Sequence, residues 1–273
     1  MEGEAVTTKG WTSKTTSLPN PSRYLVRELD RNTSESLPER CAIVGAGRLG
    51  HALAAALTDA GLIVDGPLGR GAGPTDAQVV LLCVPDAEIA NAATALSPVN
   101  EQLVGHCSGA TTLQVLHPRE AFSLHPLMTV PPGGNAPFAG AGCAVAGTTD
   151  RALRTATALA EALHMRPVEV HDHDRAAYHA AASIAANLLV TLEHQAERLA
   201  ATAGVPRELL VPLARAALEN WAANGAEHAL TGPVARGDEA TIARQRQAIE
   251  ERTPDVLDTF DALVAASRVV AAT

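Results

Sequence analysis

Short apolar runs alternate with alanine-rich amphipathic stretches through the first two-thirds of the chain. Cys41-Ala-Ile-Val44 suits a strand buried on both faces. A helix is predicted from about Leu49 to Ala60, where Gly61 stops it. Leu62-Ile-Val-Asp65 opens a second strand, Val79 to Val84 is a third that Pro85 ends, and Ala87 to Leu96 reads as helix. Leu103–His106, Cys143–Ala146 and Val168–Val170 complete the predicted strands. After about His171 the period changes, and residues 174–203, 206–225, 238–251 and 254–271 read as helices, with breaks at Gly204-Val-Pro206, Gly232-Pro233 and Pro254. Strands alternating with helices imply an α/β unit with a doubly wound parallel sheet, followed here by an all-α unit. The predicted divisions are a disordered leader over 1–38, an α/β domain over 39–170 and a helical substrate or dimerisation domain over 171–273.

Composition narrows the chemistry. The chain has 273 residues, 47% hydrophobic, with 21 basic and 30 acidic side chains. A net charge of -9 with few aromatic rings argues against nucleic acid, which asks for a basic footprint and stacking surfaces. No apolar run approaches the roughly 20 residues that span a bilayer. The first 30 residues hold Glu2, Glu4, Glu28 and Asp30 and no apolar core of a signal, so a cytoplasmic protein is expected. Cys41, Cys83, Cys107 and Cys143 are widely spaced among apolar residues and read as buried strand residues, not a zinc or disulfide framework. The only lysines, Lys9 and Lys14, lie in the leader, so the body has no lysine for Schiff-base or acid–base work. Proton transfer falls to a histidine, to Tyr178, to a carboxylate or to water.

Gly45-Ala46-Gly47-Arg48-Leu49-Gly50 is a G-x-G-x-x-G run placed between a predicted strand and a predicted helix. That context is the Rossmann dinucleotide fingerprint: Gly45 for the turn, Gly47 for close approach of a pyrophosphate, Gly50 for helix–sheet packing. The helix N-terminus offers unpaired N–H groups to the anion. Asp65 lies near the usual place of a carboxylate that holds the ribose of NAD. A second strand of typical length, about five or six residues, would instead end near Leu68, leaving Gly69-Arg70 at the ribose with a guanidinium suited to a 2′-phosphate. NADP is therefore favoured and NAD left open, with Val84-Pro85 expected to line the same cofactor.

Ligands of such sheets sit outside the carboxyl ends of the strands. His106-Cys107-Ser108-Gly109-Ala110 closes one strand, and Ser123-Leu-His125-Pro-Leu127 is placed at another, with Pro126 favouring extended backbone at His125. Tyr178, His179, Ser183 and Asn187 lie on the first helix of the helical unit, the last three at i, i+4, i+8 on one face expected to wall an interdomain cleft. Thr231 to Asp238 reads as a loop in which Arg236 would clamp a carboxylate and Asp238 cap the next helix. The alternatives are a structural Arg236–Asp238 loop and helix-packing hydrogen bonds for the polar face. His171-Asp-His-Asp174 is read as a helix start with Asp174 as cap, not as a metal site.

Together the fingerprint, Val84-Pro-Asp86, His106 to Ala110, Ser123 to Leu127, Tyr178-His-Ala-Ala181 with Asn187, and Gly232 to Asp238 resemble a family of Rossmann-like proteins with a C-terminal domain of unknown function. It is related to the 6-phosphogluconate dehydrogenase C-terminal-like group, which includes β-hydroxyacid dehydrogenases, pyrroline-5-carboxylate reductase and ketopantoate reductase. The likeness runs from about Cys41 to Ala248. It implies an NADP-type reductase that works as a homodimer through its C-terminal helices on a small carbonyl or imine acid, ketopantoate foremost. Ser108-Gly109 is similar to the segment that meets substrate in β-hydroxyacid dehydrogenases, and Asn187 matches their helix asparagine. Ser183 stands where those enzymes carry a lysine, so His179, His125 or water is left to protonate the product. The expected catalytic group is thus Ser108, His125, His179 and Asn187, with His106, Gly109, Tyr178, Ser183 and Arg236 around the substrate. A non-catalytic dinucleotide-binding sensor or scaffold is the alternative.

Overall fold

Alternation along the strands divides their side chains between two apolar layers. The computed structural model describes residues 37–69, 76–131, 133 and 136–273. Residues 1–36 of the expected leader, and Arg70, lie outside the described residues. The strands are β1 (Arg40–Val44), β2 (Ile63–Leu68), β3 (Val79–Leu82), β4 (Leu103–His106), β5 (Ala121–Leu127), β6 (Gly142–Gly147) and β7 (Arg166–Glu169). They form one sheet in the order β2-β1-β3-β4-β5-β6-β7.

Cys41 and Ile43 of β1, Val79 and Leu81 of β3, Phe122 and Leu124 of β5, and Cys143 and Val145 of β6 face α1 (Arg48–Asp59) and α3 (Asp150–Ala162). The alternate residues Ala42, Val44, Val80, Leu82 and Val104 face α2 (Ile89–Ala95) and a short 3₁₀ turn at Leu113–Leu116. With both faces covered, β1, β3 and β4 read as continuous apolar runs instead of alternating ones. Phe122, fully buried, lies over Gly105 of β4, where a Cβ would fall 2.4 Å from its ring. The ring occupies space that a side chain on Gly105 would fill.

Strands β1 to β5 pair in parallel, but β6 runs antiparallel to β5 and β7 follows β6 in parallel. The sheet is thus the doubly wound one expected, parallel except where β5 meets β6. An antiparallel neighbour needs no helical crossover, and the described residues between Leu127 and Gly142 contain none. Helix α3 was not anticipated from the sequence. Its buried face consists mainly of Ala152, Ala156 and Ala160 beside Leu159, and Thr149 caps it by accepting from the Ala152 N–H at 3.1 Å.

The chain divides into two compact units, one ending at Ala176 and the other running from Ala177 to Thr273. Helix α4 (Arg175–Ser183) passes through a π turn at Ile184–Leu188 into α5 (Leu189–Ala201). There follow α6 (Arg207–Ala229), broken at Gly225 with φ 75°, then α7 (Gly232–Ala235), α8 (Glu239–Arg252) and α9 (Leu257–Ala271). Arg198 of α5 forms a bidentate pair with Asp255 at 2.6 and 3.0 Å, and Arg246 of α8 pairs with Asp261 of α9. Among the described residues no helix is long and apolar enough to cross a membrane.

Truncating Phe122 to alanine removes a ring with no solvent-facing side and leaves a cavity between β4, β5 and α3. Phe122→Ala is expected to cost about 3–5 kcal/mol, read as a lowered urea midpoint for loss of the sheet unit.

Candidate active site

The turn between β1 and α1 is set by two close backbone approaches. Gly45 has φ +115°, and a Cβ on it would fall 2.3 Å from the Cys83 carbonyl oxygen. A Cβ on Gly50 would fall 1.9 Å from the Gly45 carbonyl oxygen. Any side chain at either position separates α1 from the sheet. Gly47 differs, since a Cβ there would meet nothing within 4 Å. It is the N-cap of α1, with no side chain capping the helix and no acidic residue in its first turn. The positive end of the helix dipole therefore faces an uncovered space, which favours an anion.

That space is part of a cavity of about 460 Å³. Gly45, Ala46 and Gly47 form one side, Leu68-Gly69 and Cys83-Val84-Pro85 the strand ends, and Asn91, Ala92, Ala95 and Leu96 the far wall. Val84 and Pro85 lie where the sequence placed them. Glu88, Asn91, Ala92, Ala95 and Leu96 were missed, because α2 carries no motif and meets the turn only through the β1–β3 pairing. Arg48 extends to the Val130 carbonyl at 3.2 Å, and Leu49 packs against the core at the first turn of α1. Asp65 lies within β2 opposite Ala42, and its carboxylate meets Arg40 at 3.4 Å, so it is held away from the strand end. Strand β2 does run on to Leu68.

A second cluster lies at the end of β4. His106 is fully buried, and its Nδ1 accepts from the Ser108 N–H at 3.2 Å, so the neutral ring carries its proton on Nε2. Burial pushes His106 down to about 4, and the nearby Arg175 guanidinium pushes the same way, against weaker contributions from the Thr112 backbone, Asp86 and Asp172. The Ser108 hydroxyl donates to Asp86 Oδ2 at 2.7 Å and accepts from the Ala110 and Thr111 N–H groups at 3.2 and 2.9 Å. With these contacts it fixes the loop.

Arg175 is the residue the sequence reading passed over. It is 1% exposed, and it donates from Nε to Asp172 at 2.8 Å, from one Nη to the Ser108 carbonyl at 3.4 Å and from the other to the Ser123 hydroxyl. Asp172 also accepts from the Leu113 N–H at 3.1 Å. Asp172 thus serves this arginine, while His171 stacks on His173 at 5.5 Å. The one available signal was an arginine opening a helix, where the macrodipole disfavours a cation; burial against Asp172 compensates.

His125 does not end a strand. It lies inside β5, opposite Ala144 of β6. Strand β4 stops at His106, whose partner is Ser123, so Leu124 to Leu127 run beyond the carboxyl edge of the parallel strands. A Cβ on Gly109 would fall 2.8 Å from the His125 ring, which places Gly109 against it. Ser108, Gly109 and His125 are therefore neighbours in the first unit.

Residues 141–267 match the family model described as Domain of unknown function (DUF2520). No curated protein matches the chain. Among solved structures, BF3122 of Bacteroides fragilis, described as a candidate NADP oxidoreductase, is similar with a TM-score of 0.72 at 17% identity, covering 85% of this chain and 98% of that one. Protein TM1727 of Thermotoga maritima is similar with a TM-score of 0.70 at 24% identity over 85% and 98% of the two chains. A reductive aminase of Aspergillus terreus, in complex with NADPH and ethyl-5-oxohexanoate, gives 0.59 at 14% over 85% and 94%. These likenesses establish the fold: a Rossmann sheet followed by helices.

Within the matched region, Tyr178, His179 and Ser183 lie on α4 and Asn187 in the π turn. The sequence reading assumed an unbroken α-helix. The wider i→i+5 turn winds each residue through a smaller angle, so Asn187 is drawn back toward the line of His179. The expected loop at 231–238 contains the short helix α7, with exposed Arg236 as its C-cap. Asp238 caps α8 as expected, accepting from the Thr241 N–H at 3.0 Å, which holds its carboxyl below the usual range together with the Thr241 contacts and nearby Arg244 and Arg236.

The depressed His106 links folding to pH. An unfolded histidine titrates near 6.5, so the neutral buried form contributes fully above that value, and the contribution is lost as pH falls from 6.5 to about 4. The loss is about 3 kcal/mol. His106→Asn should flatten this part of the profile, checked by urea midpoints at about pH 7.5 and about pH 4.5.

Proposed function

We propose that the chain is an NADPH-dependent oxidoreductase that reduces a small carbonyl or imine acid, with ketopantoate as the first substrate to test. The observation that carries the reading is the cavity of about 460 Å³ in front of the uncapped N-terminus of α1. Its apolar wall at Ala92, Ala95 and Leu96 suits an adenosine, and the Gly45–Gly47 turn suits a pyrophosphate. Gly45, Ala46, Gly47, Arg48, Leu49, Gly50, Val84 and Pro85 are the cofactor residues of this reading. Arg70, which follows Gly69, is assigned the 2′-phosphate. The solved relatives described as NADP- or NADPH-binding reductases support the choice of cofactor.

The hydride comes from the coenzyme, and the chain's part is to position and to protonate. Ser108 holds its loop through Asp86 and the following N–H groups, leaving Gly109 and His125 as the contacts nearest the reacting carbon. His125 is assigned the proton, since an imidazole can give one up near neutral pH. His106, buried and kept neutral, supports the loop. In the matched region, Tyr178, His179, Ser183, Asn187 and Arg236 are proposed as substrate-binding residues. The Ala177–Thr273 unit exposes Val190, Leu209, Leu213, Trp221 and Val269, and a homodimer through these helices is proposed, with sedimentation giving twice the chain mass as its check.

The deciding assay is NADPH oxidation with ketopantoate and a panel of 2-oxo and cyclic imino acids. Turnover of at least one supports the reading, and NADPH binding without turnover across the panel assigns a sensor instead. His125→Ala is expected to lower kcat by about 10²–10⁴-fold with NADPH affinity retained. Arg70→Ala should weaken NADPH much more than NADH, in equilibrium titrations of both.

A further inference from the structure

Two thiols touch where β3 and β4 end, and the residue that carries one of them lines the cavity. Cys83 directly follows β3 and Cys107 directly follows β4, and the preceding residues Leu82 and His106 are register partners. The ladder continues one step further, with the Cys107 N–H donating to the Leu82 carbonyl at 3.2 Å. Their sulfurs are 3.7 Å apart. Paired strands run roughly 4.8 Å apart, within the Cα separation of about 4.4–6.8 Å that a disulfide spans.

The other cysteines are placed differently. Cys41 and Cys143 are fully buried, and burial pushes each thiol up to about 12, which keeps it protonated and inert. Cys83 is half-buried and lines the cavity, whereas Cys107 lies behind it, its thiol also pushed up by the Cys83 contact and by burial. One half-buried cysteine with a buried neighbour in contact is the arrangement of an attacking and a resolving thiol.

We propose that Cys83 and Cys107 are an oxidation site for hydroperoxides, closing to a disulfide in the floor of the cavity. The Cys83 thiolate attacks the outer oxygen of the hydroperoxide, the O–O bond breaks, and the sulfur becomes a sulfenic acid as water or an alcohol departs. The Cys107 sulfur then attacks that sulfur, the S–O bond breaks, and the Cys107 proton leaves with the hydroxyl as water. Two thiols are oxidised and one peroxide reduced. The disulfide acts on the glycine turn directly, because the Cys83 carbonyl is the group that Gly45 packs against, and the Cys83 N–H is bonded to the Val44 carbonyl at 2.7 Å.

The test uses the full chain, reduced and then treated with stoichiometric hydrogen peroxide, with peptide mapping after alkylation. The expected product is a reducible Cys83–Cys107 cross-link. In Cys107→Ser a sulfenic acid trapped by dimedone should remain on Cys83. Resting on the reading of the cavity as a dinucleotide site, NADP⁺ at about ten times its Kd should slow cross-linking about tenfold. If both thiols survive peroxide in the folded protein while the unfolded chain reacts, or if the cross-link forms as fast with NADP⁺ bound, the proposal is overturned. Binding of NADP⁺ is measured separately by calorimetry. Its absence would sink the proposed function, and the mapped cross-link alone would then decide for or against the thiol pair.

Discussion

The sheet unit depends on the contact between the β1–α1 turn and the end of β3. The Cys83 carbonyl stands where a side chain on Gly45 would go, and the Gly45 carbonyl stands where one on Gly50 would go. These two approaches bring α1 onto the sheet, so that Ala52, Leu53, Ala54 and Leu57 reach the apolar layer with Ile43 and Leu81. They also leave the first N–H groups of α1 without a side-chain cap. The glycines that let the helix pack are therefore the same ones that leave an anion-sized space at its positive end.

A second constraint holds the neighbouring strand ends. Arg175 is a buried cation whose donors are spent on Asp172, Ser108 and Ser123. Removing one partner of such a group leaves an uncompensated charge, at a cost of about 3–5 kcal/mol. Its bonds tie the start of α4 to the loop after β4 and to β5, the elements that carry Gly109 and His125. Its charge also disfavours a second cation nearby, which helps keep His106 neutral. Packing and protonation state are thus set by one side chain.

Much of this architecture was legible along the chain. Buried strands flanked by breakers marked β1, β3 and β4, and the glycine run marked the turn, because turn geometry and two-sided burial constrain residues close in sequence. The reversal of β6 escaped notice because strand direction depends on the connection, not on strand composition. His125 was placed near the right edge for the wrong reason: β5 overruns β4, a fact of register.

The sequence by itself determined the α/β unit and following helices, the glycine turn between the first strand and its helix, and the absence of lysine after residue 14, since each is local or compositional. Only the tertiary structure decided that Arg175 is buried between Asp172, Ser108 and Ser123, that α2 walls the cavity, and that Cys83 touches Cys107. Those contacts join residues far apart in the chain, and parallel pairing, not proximity in sequence, brings their strand ends together.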